Sequence, residues 1–330
     1  MKKNIIVIIV ILILVTGAVF VGLSLKNNNQ VKGDKISVVT TLFPLYDFVK
    51  EIGGDKVQVS LLLPPGVEAH AFEPKPSDIV KINESDLFVY TGKFMEPWAE
   101  DIIKGITNKD TKIVDSSIGI ELMKDDDPEE EHKGVFEEEL IEKHEEEHGH
   151  NHSGVDPHIW LGFDNSQIMV SNITKMLAEK DPINADFYNT NASLYLKKLS
   201  ALDESYKNTL SVCKTREVVY GGHYAFGYLA KRYNLEYVSA QGFSPDSEPT
   251  VKDMIALVDQ INKNNINYVF YEELASPKIA ETLSMETGAK LLLLNGAHNI
   301  SKEEMENNVS FLSIMEKNLV NLKTGLSCGK

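Results

Sequence analysis

Nine histidines in a chain of 330 residues put metal binding ahead of other chemistries, because imidazole is the commonest metal-binding side chain. They fall into two groups. His132, His144, His148, His150 and His152 crowd one polar tract that ends EKHEEEHGHNHSG, a composition that signals weak, multivalent metal contact. His70, His158, His223 and His298 stand alone in separate stretches. Imidazole nitrogen suits Zn2+, Cu2+ or Ni2+, whereas Mn2+, Ca2+ and Mg2+ favour carboxylate oxygen. Four such nitrogens at about 2.0–2.1 Å complete a closed tetrahedral zinc shell. For any one loop histidine a solvated or hydrogen-bonded side chain is the ordinary outcome, so only shared placement argues for a site.

That placement follows from the elements around them. ISVVTT (36–41), VQVSLLL (57–63), LFVYTG (87–92) and KIVD (112–115) read as strands, with amphipathic helices at 44–53, 77–82 and 97–106 between them. A helix at 165–179 and a second from about 182 to 212, without internal Gly or Pro, come next. At 1.5 Å per residue the second is roughly 45 Å long, a rigid spine for two lobes. Strands then resume as EVVYG, EYVSAQ, NYVFYE and KLLLLN, with helices between them and a final helix at 302–322. The predicted fold class is α/β: two lobes, each a parallel sheet flanked by helices, joined by a long backbone helix. The chain divides into a membrane anchor or signal (1–26), a polar linker (27–35), an N-terminal lobe (36–180), the linking helix (181–213) and a C-terminal lobe (214–330). Residues 123–154, acidic and His-rich, are expected to form a solvated, mobile insertion in the first lobe. Ligands of open α/β sheets bind beyond the carboxyl ends of strands. His70 follows VQVSLLL, His223 follows EVVYGG and His298 follows KLLLLNGA, which points to one site in the cleft between the lobes.

The formal charge is −16, and Glu121 to His148 alone holds 14 acidic residues against three lysines, leaving −5 for the remainder. Such a surface does not neutralise phosphates, which excludes nucleic acid as a partner. At the start, Lys2 and Lys3 precede an apolar run from Ile5 to Leu25 broken by Thr16 and Ser24. About 20 apolar residues span a bilayer, against about 7–15 in a cleaved signal's core, and the lysines favour an inside amino end. The expectation is an uncleaved anchor at the cell surface with the rest outside the cytoplasm; a cleaved signal is the alternative. No cysteine precedes Cys213 to carry an N-terminal lipid. In an exported chain Cys213 and Cys328 are permitted to pair, although sequence alone does not bring them within bonding range.

The stretches GVEAHAFEPKPSD (66–78), DPHIWL (156–161), GGHYAFGYLAKRYNL (221–235) and YVFYEELASPKIAETLSMETGAKLLLLN form an ordered set, HxxEPxPSD, DPHxWL and HxAFGYxAxRY. This set resembles the zinc/manganese-binding solute-binding proteins of metal ABC importers, over essentially the whole chain after the anchor. The resemblance implies His70, His158 and His223 as the first three metal ligands. The fourth is usually a carboxylate in a pattern such as LNPLE; here LNGAH puts His298 in its place, so that either His298 completes an all-nitrogen site or it stands outside and water or another side chain fills the position. Histidine at the third position and an acidic, His-rich loop before DPHxWL are zinc-type features. The implied activity is capture of Zn2+ at one tight site and delivery to an ABC permease, by a monomer that is not an enzyme. No P-loop GxxxxGK[ST] occurs, so an ATPase subunit must supply the energy. Because the spine limits lobe closure, loop movement around His223 or His298 is the expected release step.

Rival readings are a manganese carrier, a surface adhesin and a zinc hydrolase. The last rests on HEEEH at 144–148, which spells H-E-x-x-H but lies in a charged tract with no apolar face to bury. Glu272 and Glu273, at the end of a strand, are candidates to orient a ligand histidine. Phe72, Trp98, Trp160, Tyr224 and Phe226 read as cleft wall and core.

Overall fold

The structure, a computed structural model, describes residues 35–124, 154–243, 245 and 248–329. The expected anchor and the tract with His132, His144, His148, His150 and His152 lie outside the described residues. Among the described residues no helix is long and apolar enough to cross a membrane.

The first sheet is built from β1 (Ile36–Thr40), β2 (Val57–Leu61), β3 (Leu87–Tyr90) and β4 (Lys112–Asp115), in the order β2-β1-β3-β4. Helices α1 (Phe43–Gly53), α2 (Pro76–Glu84) and α3 (Ala99–Gly105) connect them. The registered pairs β1/β3 and β3/β4 are parallel. All four residues of β3 are buried, as expected for a central strand covered on both faces. Proline in the first turn of α1 and α2 fits the helix start, where a missing N–H leaves no bond unmade. The second sheet repeats the plan with β5 (Glu217–Tyr220), β6 (Glu236–Ser239), β7 (Tyr268–Tyr271) and β8 (Lys290–Leu293), in the order β6-β5-β7-β8, its registered pairs parallel. Each order reverses direction in the middle, between β1 and β3 and between β5 and β7, the switch point at which such sheets open a crevice.

Between the sheets run α4 (Phe163–Lys180) and the 26-residue α5 (Ala185–Leu210). Tyr188, Ala192, Tyr195, Leu199, Leu202, Tyr206 and Leu210 are its buried positions, a stripe at intervals of three and four. Through that stripe α5 packs on α1 and α4 on one side, and on α6 (Gly227–Tyr233) and the C-terminal helix α10 (Phe311–Gly325) on the other. At about 39 Å it is long enough to back both sheets. Buried Asp47 on α1 ties three elements together, accepting the Phe311 N–H at the start of α10 (3.0 Å) and the Tyr195 hydroxyl of α5 (3.4 Å). Burial pushes its pKa up to about 6, with the Phe311 amide pulling the other way. The described residues from 37 onward accordingly form one compact unit.

The remaining helices are α7 (Val251–Lys263), α8 (Lys278–Thr287) and α9 (Lys302–Glu306). The final helix expected over 302–322 is two helices, α9 and α10. Asn308 between them adopts a left-handed conformation (φ 53°), and Ser310 caps a fresh start by accepting the Ser313 N–H. A disulfide joins Cys213, just past α5, to Cys328 after α10, fastening the C-terminal end to the spine.

Candidate metal centre

Four loops converge where the two sheets' carboxyl ends face each other. His70 sits between β2 and α2, His223 between β5 and α6, and His298 between β8 and α9; His158 precedes the 3-10 turn Ile159–Leu161 that leads into α4. Each brings a ring nitrogen to one place, all four within 4.8 Å of one another. Nε2 of His158 lies 3.1 Å from Nε2 of His70 and 3.2 Å from Nε2 of His223. The six distances between ring centroids run only from 5.1 to 5.7 Å, so the rings stand at the corners of a nearly regular tetrahedron. An ion with zinc–nitrogen bonds of about 2.05 Å holds its nitrogens about 3.3 Å apart and its ring centroids about 5.2 Å apart. The side chains match that cage.

Burial supports the same use. His158, His223 and His298 are buried, and His70 alone is half-buried. Nε2 of His298 is a buried nitrogen with no hydrogen-bond partner, an arrangement a protein seldom leaves without a ligand. The outward nitrogens are backed by carboxylates. Asp156 Oδ1 lies 2.8 Å from His158 Nδ1 and also accepts the His158 backbone N–H at 2.9 Å. Glu272 Oε1 is 2.8 Å from His223 Nδ1, and Glu273 Oε1 is 3.7 Å from His298 Nδ1. A carboxylate behind an imidazole fixes the tautomer that turns a lone pair toward a metal and raises its basicity. These acids also supply negative charge that four neutral imidazoles lack.

Without a cation the groups lean on each other. Burial pushes the pKa of His298 down, but the Glu273 carboxylate 3.7 Å away, helped by Glu272 and Glu68, outweighs it and leaves it raised. Burial pushes Glu272 up, yet its bond and charge interaction with His223 leave it below the ordinary range. Glu273 is raised, chiefly by burial. A dication inside the cage would oppose protonation of the rings.

The loop that carries His298 has no spare room. A Cβ on Gly296 would lie 2.5 Å from His298 Cε1, so only glycine lets the chain pass beneath the ring. Its N–H donates to Glu273 Oε2 (2.8 Å), its carbonyl accepts the Trp160 indole N–H (2.8 Å), and the Trp160 ring stands edge-on to His298 at 5.1 Å. Trp160 and Phe226 are buried, as expected for wall and core. The structure thus brings together all four isolated histidines and sets Glu272 and Glu273 behind two of them. Asp156 and Glu68, to which sequence reasoning gave no role, share one signature: an acid two residues before a histidine. Glu68 accepts the N–H groups of His70 (2.8 Å) and Ala71 (2.7 Å), much as Asp156 serves His158.

Comparison with known proteins agrees with this geometry. Residues 38–325 match the family described as ZnuA, zinc-uptake complex component A, periplasmic. The high-affinity zinc uptake system protein ZnuA of Bacillus subtilis is 39% identical over 303 residues, which cover 92% of this chain and 91% of that protein. The zinc-binding protein AdcA of Streptococcus pyogenes serotype M3 is 36% identical over 98% of this chain, but the match spans only 61% of AdcA's own length. Among solved structures, the Zn(II)-bound ZnuA-like domain of Streptococcus pneumoniae AdcA superposes with a TM-score of 0.71 at 33% identity, covering 88% of this chain and 99% of that domain.

Proposed function

The chain belongs to the ZnuA family of zinc-uptake components, and from that premise we propose that it captures Zn2+ outside the cytoplasm and hands it to an ABC permease driven by a separate ATPase subunit. His70, His158, His223 and His298 are the four ligands of one tight site, in which zinc is the cargo. The carrying observation is the near-regular tetrahedron of their rings, 5.1 to 5.7 Å between centroids. A nitrogen-only set favours zinc over manganese, whose preference is for carboxylate oxygen. Four protein donors fill a tetrahedral shell, whereas catalytic zinc keeps a position for water, which speaks for carriage rather than hydrolysis. All four donors come from one chain, so a monomer suffices.

His132, His144, His148, His150 and His152 are assigned weaker zinc contacts that raise the local ion concentration, on the strength of their composition. The apolar run from Ile5 to Leu25 holds the protein at the membrane's outer face. Competition of Zn2+ against Mn2+ on the purified protein tests the metal: zinc binds tighter by orders of magnitude, and comparable affinities would overturn the assignment.

A further inference from the structure

His298 belongs by sequence to the second sheet, yet its loop is bonded chiefly to the first. Through its N–H groups the chain up to position 296 is tied to its own lobe: Leu294 N–H donates to Tyr271 O, Asn295 N–H to the Asn318 amide oxygen and Gly296 N–H to Glu273. Ala297 then turns the chain through a left-handed conformation (φ 56°). From there the partners lie across the cleft. The His298 carbonyl accepts the Phe43 N–H (3.2 Å), and the Ile300 carbonyl accepts the Gly66 N–H (2.9 Å). Asn299, 1% exposed, donates both amide hydrogens into the base of the His70 loop, to Pro64 O (2.7 Å) and Val67 O (2.9 Å). Its own oxygen accepts the Ile300 N–H at 2.9 Å, so every polar atom of the side chain is used.

We infer that Asn299 is a positioning residue, which bolts the loop carrying His298 to the loop carrying His70 so that the two histidines move as one unit. This rests on the reading of His298 as a zinc ligand. His70 and His298 are tied to the first sheet, while His223 is held from the second, where Glu272 accepts its backbone N–H and Tyr237 donates to its carbonyl. Of the two loops expected to move in release, the one bearing His223 is the better placed, since these bonds keep it with the second sheet and not with the His70 loop. A buried asparagine spending two donors on carbonyls 235 and 232 residues away in sequence is otherwise an expensive way to hold an ordinary loop.

The test is a double-mutant cycle read by chelator competition for zinc on the purified chain, with the melting temperature of the zinc-free form measured alongside. Asn299→Ala is expected to weaken zinc binding by about tenfold or more, the scale for loss of a partner that holds a ligand in place. In a His298→Ala background the same change has no further effect, and Co2+-loaded N299A shows the altered visible spectrum of Co2+-loaded H298A. Equal losses in both backgrounds, or wild-type affinity in N299A beside a weakened H298A, overturn the role of Asn299 alone. Wild-type affinity in H298A overturns the ligand reading and takes this inference with it. Should N299A fail to fold, hydrogen exchange on the unaltered protein decides. The Phe43 and Gly66 amides stay protected with and without zinc; rapid exchange of both in the zinc-free protein overturns the bolt.

Discussion

Replacing Gly296 by alanine adds one methyl group directly against the His298 ring. The new Cβ would stand 2.5 Å from Cε1 and 2.6 Å from Nδ1 of His298, where ordinary contact begins near 3.4 Å. The ring must retreat by about 0.9 Å, the difference between 3.4 and 2.5 Å. Metal–ligand distances tolerate only about 0.2 Å, so Nε2 leaves bonding range unless the whole loop shifts. That loop is anchored on both sides by the Glu273 and Trp160 hydrogen bonds to Gly296 itself, so it has little slack. With His298 as the proposed fourth ligand, its displacement is expected to lower zinc affinity at least ten- to a hundredfold, the range found on disturbing ligand support, or about 1.4–2.7 kcal/mol. Chelator competition measures it, with the melting temperature of the zinc-free protein as control. Gly296 does not have a positive φ, so alanine brings no backbone strain of that kind and zinc-free stability should change far less than affinity. Wild-type affinity in G296A, with the fold intact, would refute the placement of His298 in the cage.

Other consequences are as direct. Asp156→Asn removes the carboxylate from His158 and should weaken zinc binding about ten- to a hundredfold, with the same competition assay as the check. Glu96 is buried where it accepts the Thr41 hydroxyl and the Thr91 and Gly92 N–H groups, and burial, only partly opposed by those bonds, pushes its pKa up to about 7. The folded state therefore holds a proton the unfolded state has released, so its contribution to stability falls as pH rises from about 4.5 to about 7, by about 3 kcal/mol. Melting the zinc-free wild type and Glu96→Gln from pH 4.5 to 8 should show the wild type losing ground to the variant over that window; a growing wild-type advantage would contradict it. The Cys213–Cys328 bond spans 115 residues, so replacing both by serine should lower stability in urea by about 3–5 kcal/mol while zinc affinity stays unchanged.

Much of this was legible in the sequence because it depends on local pattern. Apolar strands ending just before His70, His223 and His298 placed three histidines at carboxyl ends, and the sheets deliver them to one cleft. The spine was readable from its length and its stripe of apolar positions from Tyr188 to Leu210. What resisted depends on partners distant in the chain. The break at Asn308 is not marked by proline, and Phe311 begins a new helix under Asp47, 264 residues away. Nothing near Asn299 announces that its amide reaches Pro64 and Val67, and nothing in LNGAH announces that the Gly296 backbone must pass beneath an imidazole. Asp156 and Glu68 left a faint signal, an acid two residues before each of two histidines, whose meaning emerges only once both pairs are seen at one site.

The central claim is that one zinc ion is held by histidines from four separate loops, not by the His-rich tract. It is tested most directly by zinc titration under chelator competition of the wild type and of a variant with His70→Ala and His223→Ala together. The account predicts one tight equivalent of zinc in the wild type and its loss in the double variant, with only weak binding remaining. Tight one-to-one zinc binding that survives both substitutions would contradict it.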